Sequence, residues 1–297
     1  MRNVGFFMVG KKLFRQVKDF CCLVFKNNIL NNILFTQEEE LSANTQKEDL
    51  AAKAGIITGA ASGIGRATAL NLAAAGAGLL LADMALEPLQ ELAAEIKEAG
   101  GKEPVTLKVD VSDQGQVRDM VLKAKESFGS VDFMVNSAGI LRRTGFTEIP
   151  AEEWDLMLAV NLTGVFYCCQ EAAKVMVEQK SGSIVNVSSL AGRSTSILGG
   201  AHYTTVKHGV VGLSRHAARE LGPNGIRVNA FCPGATITPM TETSAQKEER
   251  DRASAATPLR RWAKPEEQAS VIAFLVSDAS SFMTGACLDS NGGALMV

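Results

Sequence analysis

The sequence contains no run of about 18 or more apolar residues, the length that suggests a transmembrane helix, so no integral membrane span is expected. It carries little net charge. Thirty Lys and Arg stand against 32 Asp and Glu, leaving −2 over 297 residues. No basic stripe accompanies a nucleic-acid motif, so DNA and RNA are not expected partners. Histidine is scarce: His202, His208 and His216 cluster in sequence, with no acidic or cysteine partner at a metal-ligand spacing, and no metal site is expected. A CxxC spacing is also missing. The cysteines are two adjacent pairs, Cys21-Cys22 and Cys168-Cys169, plus Cys232 and Cys287. Adjacent cysteines are poorly placed to bridge each other, so buried free thiols in a reducing compartment are expected.

What is present is an ordinary globular composition, 46% hydrophobic and 21% charged. Two regions are expected, an extension over 1–51 and one catalytic domain over 52–297. The first 35 residues hold six bases (Arg2, Lys11, Lys12, Arg15, Lys18, Lys26) and one acid, Asp19, among apolar residues; an acidic, polar stretch from Gln37 to Asp49 follows. Three readings stay open. The segment is an extension without a role, for instance upstream of the true start. It is a transit peptide, although it lacks the usual serines. Or it lies on an anionic membrane surface or a partner. A cytoplasmic location is expected, with organelle targeting through this segment as the alternative.

From Ala52 onward, short apolar runs alternate with longer amphipathic stretches. The runs read as buried strands: Gly55–Thr58, Gly78–Ala82, Val105–Val109, Phe133–Val135, Ser183–Val187, Arg227–Phe231 and a seventh at Ala286–Leu288. Helices are expected over Gly65–Ala75, Pro88–Ala99 and Gln116–Phe128. This alternation predicts an α/β fold, one doubly wound parallel sheet of about seven strands with helices on both faces.

The first strand runs into Thr58-Gly59-Ala60-Ala61-Ser62-Gly63-Ile64-Gly65. Glycines at a strand-to-helix turn let the backbone approach a pyrophosphate lying on the helix N-terminus. Gly59, Ser62, Gly63, Ile64 and Gly65 are therefore candidate cofactor residues. The second strand ends at Asp83, whose carboxylate can accept hydrogen bonds from the adenosine ribose. It would repel the extra phosphate of NADP. Position 62 is Ser and positions 84 to 86 are Met-Ala-Leu, so no base is there to offset the repulsion. NAD is expected, with NADP less favoured.

Tyr203 and Lys207 stand four apart in a segment that reads as a helix, Tyr203–Leu221, and share a face. An isolated phenol is a weak base at neutral pH. A neighbouring cation favours the phenolate and brings it nearer to useful basicity. The strand Ser183–Val187 ends in Ser188-Ser189, and a hydroxyl at that end of a parallel strand can polarise a substrate carbonyl.

These motifs occur in order with Asp110-Val111, Asn136-Ser137-Ala138-Gly139, Asn161 and Asn229-x3-Pro233-Gly234. The set resembles the short-chain dehydrogenase/reductase family over about residues 52 to 293. The resemblance implies a Rossmann-type domain in which Tyr203 is the general acid/base. Lys207 would hold the nicotinamide ribose and lower the tyrosine pKa, and Ser189 would orient the substrate oxygen. Asn161 would hold a water in a proton relay. Asp110 and Val111 would contact adenine. Asn136 would support the central strands and, with Ala138 and Gly139, belong to the cofactor site. Pro233, Gly234 and Thr238 would face the nicotinamide. Two departures stand out. Ser137 replaces a second asparagine, and Leu288-Asp289-Ser290-Asn291-Gly292-Gly293 carries an insertion relative to the family's Val-Asp-Gly-Gly.

The expected activity is hydride transfer between NAD(H) and a small secondary alcohol or ketone. The alternatives are an NADPH-dependent carbonyl or 3-oxoacyl-[acyl-carrier-protein] reductase and, from another class, a dinucleotide-binding scaffold without turnover. Leu141, His202, Met240 and Ser189 are candidate substrate contacts, with Arg142, Ile197 and Leu198 nearby. A lid is expected over Ala235–Trp262, its charged run Gln246–Arg252 forming a solvated helix face. Arg142 and Arg143 read as surface residues. The resemblance also implies a homo-oligomer, a tetramer.

Overall fold

The computed structural model describes residues 50–244 and 246–297. The expected N-terminal extension lies outside the described residues as far as residue 49. Among the described residues seven strands are formed: β1 (Ala54–Thr58), β2 (Gly78–Asp83), β3 (Val105–Lys108), β4 (Phe133–Asn136), β5 (Gly182–Val187), β6 (Ile226–Pro233) and β7 (Cys287–Ser290). All neighbours pair in parallel, in the order β3-β2-β1-β4-β5-β6-β7. The expected α/β fold and strand number are therefore present. Strand ends shift where pairing outlasts hydrophobicity. Asp83 stays in β2 because it pairs with Lys108, and Asp289 and Ser290 stay in β7 because they pair with Cys232 and Pro233.

The helices are α1 (Gly63–Ala74), α2 (Leu86–Glu98), α3 (Gln114–Phe128), α4 (Ala151–Leu158), α5 (Gly164–Gln179), α6 (Ala201–Leu221), α7 (Pro239–Ser244), α8 (Lys247–Ala256) and α9 (Pro265–Val276). Successive strand side chains point to opposite faces of a sheet, and here both faces are covered. Ile56, Leu80, Met134 and Ile184 pack with Met120 of α3 and with Cys168, Ala172 and Met176 of α5. Ile57, Leu81, Val135 and Val185 pack with Leu72 of α1, Leu92 of α2 and Ile272 of α9. Burial on both faces is why these strands read as unbroken apolar runs.

The stretch Ala151–Gln179 is long and apolar enough by composition to cross a membrane, with half of the scored window buried in the fold. Cys168, Ala172 and Met176 on it are core residues, so we describe it as a core helix. Its middle is a π-helical turn, Ala159–Thr163, which joins α4 to α5 and contains Asn161. Such turns recur at functional sites.

Strand order reverses between β1 and β4. In open parallel sheets the ligand crevice lies outside the carboxyl ends of the strands at such a reversal.

Candidate active site

A cleft of about 570 Å³ lies there, lined by the ends of β2, β5 and β6 and by the segments that follow β1 to β6. At one end is the glycine turn. Gly59 has φ +68, and a Cβ on it would lie 2.7 Å from the Ala138 Cα, so neither a left-handed turn nor this close approach tolerates a side chain. The Ala138 amide donates to Thr58 Oγ1 at 3.3 Å, fixing the two loops together. Ser62 is the N-cap of α1 but makes no side-chain capping bond, and the first turn carries no acid. The positive end of α1 thus has no counter-charge from its own first turn. Gly59, Ser62, Gly63 and Ile64 line the cleft.

Asp83 lines the same end. Its Oδ2 accepts from the Ala61 amide at 3.1 Å and its Oδ1 from the Ala85 amide at 3.1 Å, which fixes the carboxylate beside the glycine turn. No Arg or Lys lines this end: the two cationic residues on the cleft are Arg142 and Lys207. Arg66 of α1 is ion-paired with Glu95 instead. Asp110 and Val111 also line the cleft, and Asp110 Oδ1 accepts from the Ser112 amide and hydroxyl.

At the other end Tyr203, Lys207, Ser189 and Asn161 come together with Ala138 and Gly139. Tyr203 and Lys207 sit one turn apart in α6, and Lys207 Nζ lies 5.6 Å from the Tyr203 ring centroid. The ammonium is buried and donates to the Val187 carbonyl at 2.9 Å. Burial pushes its pKa down to about 8, with Cys232 acting weakly the other way. Burial raises the Tyr203 pKa, and a hydrogen bond with Ser189 opposes that rise. Desolvation is the leading effect on Tyr203, and the Lys207 ammonium, held at Val187, stands beside its ring.

The Asn161 side chain is wholly buried and pairs with one residue in both directions, accepting from the Ile140 amide at 2.9 Å and donating to the Ile140 carbonyl at 3.1 Å. Gly139 lies between Asn161 and Lys207. A Cβ there would be 2.7 Å from Asn161 Oδ1 and 3.8 Å from Lys207 Nζ. Pro233, Gly234, Thr238, Leu141 and Met240 also line the cleft, and Thr238 stands against the glycine turn, where a Cβ on Gly63 would meet its Cγ2 at 3.1 Å.

Three expected site residues lie elsewhere. Gly65 does not line the cleft. A Cβ on it would meet the Gly59 carbonyl at 2.1 Å, so it serves close packing within the turn. Asn136 is buried in the sheet, donating to Asn186 Oδ1 at 2.7 Å; it braces β4 against β5 and does not reach the cleft. His202 is fully buried, off the cleft, and bonded to Glu153 at 2.8 Å. Leu156, Val160, Thr195 and Ser196 line the cleft and were not foreseen. Leu156 and Val160 lie one turn apart just before Asn161, a spacing that could have indicated a shared face.

The expected solvated helix is α8, and Arg143 makes a two-pronged pair with its Glu249, at 3.1 and 2.9 Å. The described histidines, cysteines and acids form no cluster able to hold a metal.

The family described as Enoyl-(Acyl carrier protein) reductase matches residues 59–294. The 3-oxoacyl-[acyl-carrier-protein] reductase FabG of Thermotoga maritima is 42% identical over 248 residues, covering 83% of this chain and 99% of that protein. Levodione reductase of Leifsonia aquatica is 41% identical over 247 residues, covering 80% and 92%. Among solved structures, a short-chain type dehydrogenase/reductase from Mycobacterium marinum superposes with a TM-score of 0.80 at 37% identity, over 83% of this chain and 96% of that one. A levodione reductase structure superposes with a TM-score of 0.78 at 38% identity, over 82% and 97%.

Proposed function

Because the chain belongs to the short-chain dehydrogenase/reductase family, we propose that it is an NAD(H)-preferring reductase of a small ketone, with Tyr203 as the general acid. A nicotinamide dinucleotide, when bound, supplies or accepts the hydride. The protein binds, orients and moves a proton. The glycine turn and the N-terminus of α1 take the pyrophosphate. Asp83 takes the ribose hydroxyls. Ser189 and Tyr203 address the substrate oxygen, and Tyr203 gives it a proton as the carbonyl becomes an alcohol. Burial raises the phenol pKa, so Tyr203 holds its proton at neutral pH and can donate it to the substrate oxygen. Lys207 keeps its charge at neutral pH and anchors the site at Val187.

The observation that carries this reading is the convergence of Ser189, Tyr203 and Lys207 on one cleft whose other end has Asp83 and no cation. A second reading, reduction of a 3-oxoacyl thioester with NADPH, is supported by the relatives named as 3-oxoacyl-[acyl-carrier-protein] reductases. One experiment separates them. Levodione and acetoacetyl-CoA are each offered with NADH and NADPH, and cofactor oxidation is followed by absorbance. Faster turnover with NADH on either ketone supports the first reading. Faster turnover with NADPH overturns the role given to Asp83. Family membership also supports a homo-oligomer, with a tetramer expected by light scattering.

A further inference from the structure

Helix α6 carries Tyr203 and Lys207, yet its N-cap is Gly200, which has no side chain to close the first turn. In most helices a Ser, Thr, Asp or Asn at that position accepts a hydrogen bond from the amide of the second or third helical residue. The third residue here is Tyr203. Its amide reaches the Gly200 carbonyl at 3.1 Å and, at 2.8 Å, Nδ1 of the preceding side chain, His202. The imidazole stands in for the missing cap.

The ring is itself held. Since Nδ1 accepts, the proton of the neutral ring is on Nε2, and Nε2 donates to Glu153 Oε1 at 2.8 Å. Glu153 also takes a hydrogen bond from the Thr144 side chain. That bond, then the one from His202, hold its carboxyl below the usual glutamate range, so it remains a charged acceptor at neutral pH. Gly200 closes over the ring's other edge: a Cβ there would be 2.8 Å from His202 Cε1. Glu153 lies in the first turn of α4, which leads through the π-turn to Asn161. The string Thr144, Glu153, His202, Tyr203 therefore ties the element bearing Asn161 to the element bearing Tyr203 and Lys207. His202 is buried and does not line the cleft, so it meets neither substrate nor cofactor.

We propose that His202 is a positioning residue, whose Nδ1 fixes the first turn of α6 and so holds the Tyr203 phenol against Ser189. The proposal rests on Tyr203 being the acid of the reaction. A misplacement of about 1 Å at a reacting group can cost about a hundredfold in rate.

Two near-isosteric variants separate the two ends of the ring. His202→Asn keeps an acceptor at the δ position for the Tyr203 amide and gives up Glu153. His202→Gln keeps an ε donor for Glu153 and gives up the δ acceptor. Both are made in the full chain, with levodione, acetoacetyl-CoA and NADH as probes. His202→Gln is expected to lower kcat by about tenfold to a hundredfold with the KM for NADH unchanged, whereas His202→Asn stays within about threefold of the parent. The chain has two tyrosines, Tyr167 and Tyr203, so in a Tyr167→Phe background the tyrosinate absorbance reports Tyr203 alone. Tyr203 is expected to titrate nearer its ordinary value in His202→Gln than in His202→Asn, because its buried position is lost. Equal kcat and equal titration in the two variants overturn the proposal. If the parent turns over neither ketone, the substrate reading fails while the titration still decides the role of His202. If both His202 variants fail to melt cooperatively, Glu153→Leu replaces them. Because Glu153→Leu keeps Nδ1 for the Tyr203 amide, as His202→Asn does, kcat within about threefold of the parent supports the proposal, and a loss of about tenfold or more overturns it.

Discussion

Asp83 accepts a hydrogen bond from the Ala61 amide across the mouth of the glycine turn, at 3.1 Å. The carboxylate that would read the ribose is thus fixed to the loop that would hold the phosphates, and no cation lines that end of the cleft. Cofactor preference becomes a matter of one charge. Asp83→Asn keeps an acceptor for the backbone and removes the charge, and Met84→Arg adds a base on the cleft wall. A hydrogen bond to a charged group is worth about 1.5–3 kcal/mol, and about 1.4 kcal/mol is tenfold. The double variant is expected to shift the kcat/KM ratio toward NADP by about tenfold or more, measured with both cofactors on one ketone.

Tyr203→Phe removes one oxygen from a buried site and leaves the ring packed. General acid catalysis contributes about a hundredfold to ten-thousandfold, and a loss of that order in kcat is expected while NADH still quenches or shifts fluorescence on binding. Ser189→Ala removes the hydroxyl that hydrogen-bonds the phenol and is expected to cost about a hundredfold, as loss of one polarising donor does. Full activity in Tyr203→Phe would falsify the assignment of the acid.

What could be read from the sequence was what depends on neighbours along the chain. The glycine turn is a local strand-to-helix feature, and Tyr203 and Lys207 meet because four residues make about one helical turn. The seven strands were visible because both faces of the sheet are covered, leaving continuous apolar runs. His202 was misplaced for the converse reason. It is adjacent to Tyr203 in sequence, but successive residues on a helix point about 100° apart, so it faces α4 and not the cleft. Asn136 supports the central strands as expected but does not reach the cleft, because strand side chains alternate and its partner, Asn186, is set by the register of β4 on β5. The unforeseen Thr195 and Ser196 lie in the connection before α6, which has no periodicity to read.

Gly59→Ala tests the close approach of the two loops. The substitution puts a side chain at φ +68 and 2.7 Å from backbone that cannot swing away. A left-handed non-glycine residue alone costs about 1–2 kcal/mol. A lower melting temperature is expected, together with NADH binding weakened by about tenfold or more, both read on one preparation in a thermal-shift titration.

Lys207 sets function against stability. Its pKa falls from the ordinary 10.5 to about 8 in the fold. Between these values the unfolded chain holds the proton and the folded chain does not, so stability should rise with pH across that window. Below about pH 8 both states are protonated and the full burial penalty is present. Lys207→Met removes the charge at similar length. It is expected to be inactive, yet at least as stable as the parent at neutral pH, and to lack the alkaline rise in urea midpoint. A parental rise in Lys207→Met would assign that slope to another group.

Arg143 and Glu249 join the segment after β4 to α8, which belongs to the expected lid. Both side chains are about two-fifths exposed, at 41% and 39%. Each partner moves the other's titration in the direction of a charged pair, Arg143 upward and Glu249 downward. Solvent and salt nevertheless screen such pairs, and most contribute little to global stability. The two-pronged geometry makes the contact directional, so its effect should appear in lid closure. Arg143→Ala is therefore expected to leave the melting temperature nearly unchanged and to raise the ketone KM by no more than about threefold, as befits an exposed pair. The parent should approach the variant as salt is raised, because screening removes in one what the substitution removes in the other. A KM difference that persists at high salt would mean that Arg143 acts on the substrate by some route other than Glu249.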